Sequence, residues 1–184
     1  SVLPELRNPG WSSVWSAILL SICILPLIAL SGELNDLLNL PVWLSGLERW
    51  MQEGETNYYR FFEVALYYKS FLFIVLNIVM IVILPGIGEE LIFRGLLQPV
   101  IGRILKSHYA AVVLTAVLFS AGHLQLYSFL PRFFLGLASG LVFLWTGKLW
   151  LPVVMHSFNN AVVMTYGYAG VSRQSADLLP ADAY

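Results

Sequence analysis

The chain carries no charged side chain from Ser70 to Gly88, and then places Glu89, Glu90 and Arg94 inside one short stretch, Gly86–Gly95. An apolar run of that length suits a bilayer, where a helix satisfies its own backbone groups. Ionisable groups beside it are expensive at membrane depth, so they face a protein interior or a wet cavity and usually have a function. Further apolar runs cover Trp11–Gly32, Ala110–Leu126 and Phe133–Trp145. Across the chain 58% of residues are hydrophobic and 11% charged, against ~25% charged in an ordinary soluble domain. The apolar residues are not confined to one face of each segment, so a soluble fold would leave too much of them in water. The expected fold is therefore all-α, a polytopic transmembrane bundle of about six membrane helices with one interfacial segment.

Residues 1–60 read as an N-terminal membrane helix plus an acidic interfacial segment, 61–171 as the membrane core and 172–184 as a polar tail, all within one domain. Ser1–Gly10 is a polar leader. Trp11–Gly32 is too long for a signal-peptide core and lacks a strongly basic leader, so it reads as a retained helix kinked at Pro26. The polar stretch Ser31–Arg60 is net acidic, and Leu44–Met51 within it has the mixed character of an interfacial helix. A run from near Phe61 to Leu84 is expected to break at Pro85-Gly86, because proline removes a helix hydrogen bond. A new helix then runs from Ile87–Glu89 to Leu105. The last helix has Pro152 in its first turn and fades near Gly170. Trp residues near run ends fit interfacial belts. Cys23, the only cysteine, excludes an internal disulfide and reads as a buried membrane-helix residue. A net charge of −1 gives no electrostatic case for a nucleic-acid partner.

Three polar sets stand inside the expected helices. Glu90 and Arg94 are spaced i,i+4, share a face and can form an ion pair. Glu89 points ~100° away from Glu90 and has no partner from its own segment, which makes it the carboxylate for chemistry. His156 and Asn160 repeat the i,i+4 spacing with Asn159 on the same side, and Phe119 can pack beside His123. If the helices either side of Lys106–His108 form an antiparallel hairpin, Glu89 and His123 sit at nearly equal depth. The same counting does not bring His156 to that depth. Gly136 and Gly140 have the spacing that lets membrane helices approach closely.

A glutamate with two histidines is a set that holds a divalent metal such as Zn²⁺ or activates a water. Glu89, His123 and His156 are the candidate metal ligands, and Asn160 can donate to a developing oxyanion. Neither H-E-x-x-H nor G-x-S-x-G is present. The bland alternative for each residue is a satisfied interhelical hydrogen bond.

Glu89-Glu90-x-x-x-Arg94, Phe119-x-x-x-His123 and His156-x-x-x-Asn160 resemble, in order, the three motifs of the CPBP (Abi) intramembrane proteases. That family includes CAAX prenyl endopeptidases and bacterial bacteriocin-processing and lysostaphin-resistance relatives. The resemblance covers Pro85–Tyr166. It implies an intramembrane endopeptidase that cleaves a peptide or protein substrate near the membrane surface, with lipid as its surroundings and the bacterial inner membrane as its location. Glu89 would activate the attacking water, with His123 assisting or sharing a metal. His156 and Asn160 would complete the site, and Glu90, Arg94, Phe119 and Asn159 would support its shape.

Three other classes compete. A membrane scaffold or immunity protein would use the polar cluster only to hold helices together. A transporter would place an ion site at Glu89, but no inverted repeat is visible. A rhomboid-like serine protease would use Ser139 beside His156, but Leu137 stands where that motif wants glycine.

Overall fold

A computed structural model describes residues 10–37, 40–68 and 70–177, with only the backbone of 36 and 171–177. The expected leader Ser1–Gly10, but for Gly10, and the end of the expected tail lie outside the described residues. The described residues form six helices: α1 (Trp11–Asp36), α2 (Ser45–Tyr67, entered through a short tight turn at Val42–Leu44), α3 (Phe71–Leu105), α4 (His108–Ala121), α5 (Phe129–Thr146) and α6 (Trp150–Asp177). No strand occurs among the described residues. The antiparallel pair α4–α5 forms the centre, α1 and the C-terminal half of α3 flank it, and α6 packs against α1, α2, α3 and α5.

Among the described residues, three helices are long and apolar enough to cross a membrane: Trp11–Asn35, Phe71–Leu105 and Phe129–Thr146. His108–Ala121 is apolar but shorter. The outer surface is Leu, Ile, Val, Phe and Trp, while Ser21, Asn35, Asn77, Glu90, Arg94, Gln98 and His156 are buried. An apolar outside around a polar inside is what lipid demands. Cys23 is exposed on α1 rather than buried, because the buried face of that helix is taken by small residues such as Ala17, Ser21 and Ser31.

Several boundaries differ from expectation. The expected interfacial helix at Leu44–Met51 is the start of α2, which runs on to Tyr67 and takes up residues expected in the next apolar run. Pro85-Gly86 does not interrupt α3. The turn before it widens to π geometry over Ile78–Ile83, where Leu84 N–H bonds Val79 O, and such local widening is a known way to absorb proline. The carbonyl that an N–H at position 85 would serve in an α-helix belongs to Ile81, and Asn160 Nδ2 donates to it at 3.3 Å. Gly86 is needed because a Cβ there would collide with Ser157 Oγ, so α3 and α6 touch at this point. A second π segment, Leu91–Leu97, follows the glutamate pair. The last helix also continues past Gly170 to Asp177.

Small residues set the α4–α5 contact and leave carbonyls for α3 to reach. Gly136 and Gly140 lie against Ala116 and Val112 of α4, and their carbonyls accept from Arg94 Nη2 and Gln98 Nε2, each at 3.0 Å. Residues 94 and 98 on α3 thus read 136 and 140 on α5, both pairs spaced by one helical turn.

Candidate active site

Glu90 and Arg94 pair as their spacing requires, Arg94 Nη1 to Glu90 Oε1 at 2.9 Å with both side chains fully buried. The guanidinium also lies over the Phe119 ring, 4.8 Å from its centroid, and donates to Gly136 O. A charge buried this deeply persists only when it is paired, although Arg94 Nε and Glu90 Oε2 are themselves buried without a hydrogen-bond partner. Glu90 Oε1 has a second donor that sequence spacing did not show, His156 Nδ1 at 2.9 Å.

That bond fixes the state of His156. An ion-paired carboxylate accepts, so Nδ1 carries the hydrogen and, in the neutral ring, Nε2 is left as an acceptor. His123 is fixed in the same sense by a different group: its Nδ1 lies 2.8 Å from Phe119 O, a carbonyl that can only accept. His123 sits just past the end of α4, not within a helix reaching Leu126 as expected, because the helix stops at Ala121. Phe119 is the shared wall, edge-on to both imidazoles with centroids 5.1 and 5.5 Å away.

Both unprotonated nitrogens face Glu89. Its Oε2 lies 3.5 Å from His123 Nε2 and 3.8 Å from His156 Nε2, and it is buried without a hydrogen-bond partner. The hairpin count thus put Glu89 and His123 at one depth correctly, and α6 brings His156 there as well. Three acceptors around one point repel each other unless a donor stands among them. A water is such a donor, and a cation would relieve the repulsion by taking their lone pairs.

The donor set suits a divalent metal chemically: two neutral imidazole nitrogens and a carboxylate, each imidazole held through its other nitrogen by a carbonyl or carboxylate. Among the described residues, no group of three His, Cys, Asp or Glu side chains stands closely enough to form a metal cluster as placed.

The loop carrying His123 is clamped from the N-terminal helices. Asn35, fully buried on α1, donates to Leu126 O and accepts from Leu130 N–H, both at 2.7 Å. Glu55 of α2 accepts from Tyr127 N–H and Ser128 Oγ, and Gln52 Nε2 donates to the Tyr127 hydroxyl at 2.6 Å. Leu124 holds a left-handed backbone, φ 55°, a strained conformation for a bulky residue, and the clamped residues follow it directly in the chain.

The three candidate residues open on a cavity of about 530 Å³. Asn159 and Asn160 line it with Glu89, His123 and His156, and Tyr58, Tyr59 and Arg132 supply walls that sequence reasoning missed. Ser139 does not line it; the side chain is fully buried on α5. That placement gives the serine-protease alternative no support.

The sequence from residue 70 to 162, half of the chain, matches the family model described as type II CAAX prenyl endopeptidase Rce1-like. The chain belongs to that family. At the family level it is a membrane protease, and the match spans α3, α4, α5 and the part of α6 that carries the motif residues. No curated protein and no solved structure matches the chain. The clamp residues Asn35, Gln52 and Glu55 precede the matched segment.

Proposed function

We propose that this Rce1-like chain is an intramembrane endopeptidase that hydrolyses a peptide bond near the membrane surface, with Glu89 as general base. The observation that carries the reading is the convergence of Glu89 Oε2 with the Nε2 atoms of His123 and His156. A water placed among them donates one hydrogen to Glu89 and the other to an imidazole, which aims its lone pair at a carbonyl in the cavity. Glu89 takes the proton as the water attacks and passes it to the leaving amine, while the imidazoles hold the water in place. The Asn160 amide has two N–H groups; one serves Ile81 O and the second can donate to the oxyanion. A divalent metal held by Glu89, His123 and His156 would acidify a bound water and polarise the carbonyl.

Glu90, Arg94 and Phe119 shape the site without touching the reacting atoms. A scaffold role explains Glu90, which holds Arg94 and His156 through Oε1, but not Glu89, whose Oε2 stands between two imidazole nitrogens and bonds neither. An all-helical spanning chain suits a bacterial inner membrane rather than an outer one, where barrels prevail.

The test is cleavage of a peptide library by the purified chain in detergent, comparing the unaltered protein with Glu89→Ala and His123→Ala, with metal content measured on each. Loss of turnover in both variants is expected. Equal turnover in all three would overturn the reading.

A further inference from the structure

We propose that Gln98, Thr115 and Ser139 bind a water molecule inside the bundle, at the seam of α3, α4 and α5, which ties the three helices together. None of the three residues lines the cavity, so the site is separate from the catalytic one and stands without the peptidase reading. Gln98 Oε1, Thr115 Oγ1 and Ser139 Oγ are all buried and have no hydrogen-bond partner. Other buried hydroxyls of the chain are spent on carbonyls: Ser21 and Ser31 on the preceding turn of α1, and Ser120 on Phe129 O. Among the described residues, Thr115 and Ser139 are the two buried hydroxyls left without such a bond.

Helix register brings the three together. Gly102 of α3 faces Ala111 of α4, and the two helices run antiparallel. Gln98, one turn before Gly102, therefore stands level with Thr115, one turn after Ala111. Ala111 and Thr115 share a helix face, so the threonine is turned toward α3. On the α4–α5 contact, Val112 and Ala116 face Gly140 and Gly136. Thr115 comes one residue before Ala116, and Ser139 one residue before Gly140. In an antiparallel pair, one step back along each helix turns both side chains to the same flank. Gln98 occupies that flank: its Nε2 donates to Gly140 O at 3.0 Å, and its Oε1 would stand 3.0 Å from a Cβ at position 140.

An amide oxygen and two hydroxyls buried without partners are costly, the more so at a depth with no bulk water. One water meets all three needs. It donates to Gln98 Oε1, which only accepts, and exchanges hydrogen bonds with two hydroxyls that can play either part. Three bonds is the usual number for a buried water. A cation fits less well, because the three oxygens are neutral and the Arg94 guanidinium is one turn away on the same face of α3. The water also bears on the catalytic centre through α3. Glu90, Arg94 and Gln98 follow one another at one-turn intervals; Glu90 holds His156, and Arg94 and Gln98 hold the Gly136 and Gly140 carbonyls. Ser139 thus has a place in the protein that is not that of a nucleophile.

The test is a crystal structure of the unaltered full chain, at a resolution that shows ordered water, beside those of Thr115→Val and Ser139→Ala. One water peak within hydrogen-bond distance of all three oxygens is expected, lost or displaced in both variants. Hydroxyls that bond Gln98 or a backbone carbonyl directly, with no water between, overturn the proposal. Should a variant fail to fold, the unaltered chain decides alone. Melting curves in detergent give a second readout. Each variant should lower the melting temperature by about 2–4 °C. The double variant should lower it by clearly less than the sum, because either change releases the same water; additive shifts count against a shared water and overturn it. Melting in sodium chloride and in choline chloride should agree. A sodium-specific stabilisation that Ser139→Ala abolishes would mark a cation site and also overturn the assignment of water.

Discussion

Glu89 and Glu90 address opposite nitrogens of one imidazole: Glu90 Oε1 holds His156 Nδ1 at 2.9 Å, and Glu89 Oε2 stands 3.8 Å from His156 Nε2. Adjacent positions on a helix diverge by ~100°, so two neighbouring carboxylates reach the two sides of a ring that α6 inserts between them. Glu90 Oε1 also accepts from Arg94, whereas Glu89 Oε2 stands between two imidazole nitrogens and bonds neither. The pair therefore divides into a carboxylate that builds and a carboxylate that can react.

That division predicts opposite phenotypes for the same chemical change. Glu89→Gln should leave thermal stability in detergent nearly unchanged and lower turnover by about 10²–10⁴, the usual contribution of a general base. Glu90→Gln should strand the buried Arg94 and cost about 3–5 kcal/mol of stability, with loss of turnover following from the lost site. Melting curves and turnover measured on both variants decide it; matching profiles for the two would contradict the division.

The N-terminal helices make a second prediction. Asn35 and Glu55 hold the backbone on which His123 rides, so they act as positioning residues through the loop rather than on substrate. Asn35→Ala removes two buried backbone bonds and should cost about 1–3 kcal/mol. It should also release Leu124 from its left-handed turn and lower kcat more than it raises KM. Hydrogen exchange over residues 122–130 supplies the readout specific to the loop. Protection there equal to that of the unaltered chain, together with lowered kcat, would show that Asn35 does not act by positioning His123.

What the sequence could show follows from the range of each interaction. Spacing within one helix located the Glu90–Arg94 pair, and counting across the Lys106–His108 turn placed Glu89 beside His123. The contacts of Asn35 with Leu126 and of Glu55 with Tyr127 join residues far apart in the chain, and no periodicity reports them. His156 resisted counting for a related reason: α3 is not a regular α-helix but carries π turns on both sides of the glutamates, which shift depth and direction along it. The break expected at Pro85 rested on a sound local rule, the missing N–H, and failed because a residue from another helix supplies the lost donor.

That donor is Asn160, and it allows its two possible duties to be separated. Asn160 Nδ2 serves the Ile81 carbonyl, which an N–H at position 85 would serve in a regular helix. Asn160→Ala should therefore cost about 1–3 kcal/mol, the penalty of an unsatisfied buried carbonyl, and also lower turnover. Adding Pro85→Ala restores an N–H beside that carbonyl, so the double variant should regain much of the stability. If Asn160 also donates to the oxyanion, turnover stays low, by about 10²–10³ for one lost donor, although the melting temperature recovers. If Asn160 only supports the bend in α3, stability and turnover recover together. Melting curves and kcat on the two single variants and the double variant distinguish these outcomes, and recovery of both would remove Asn160 from the chemistry.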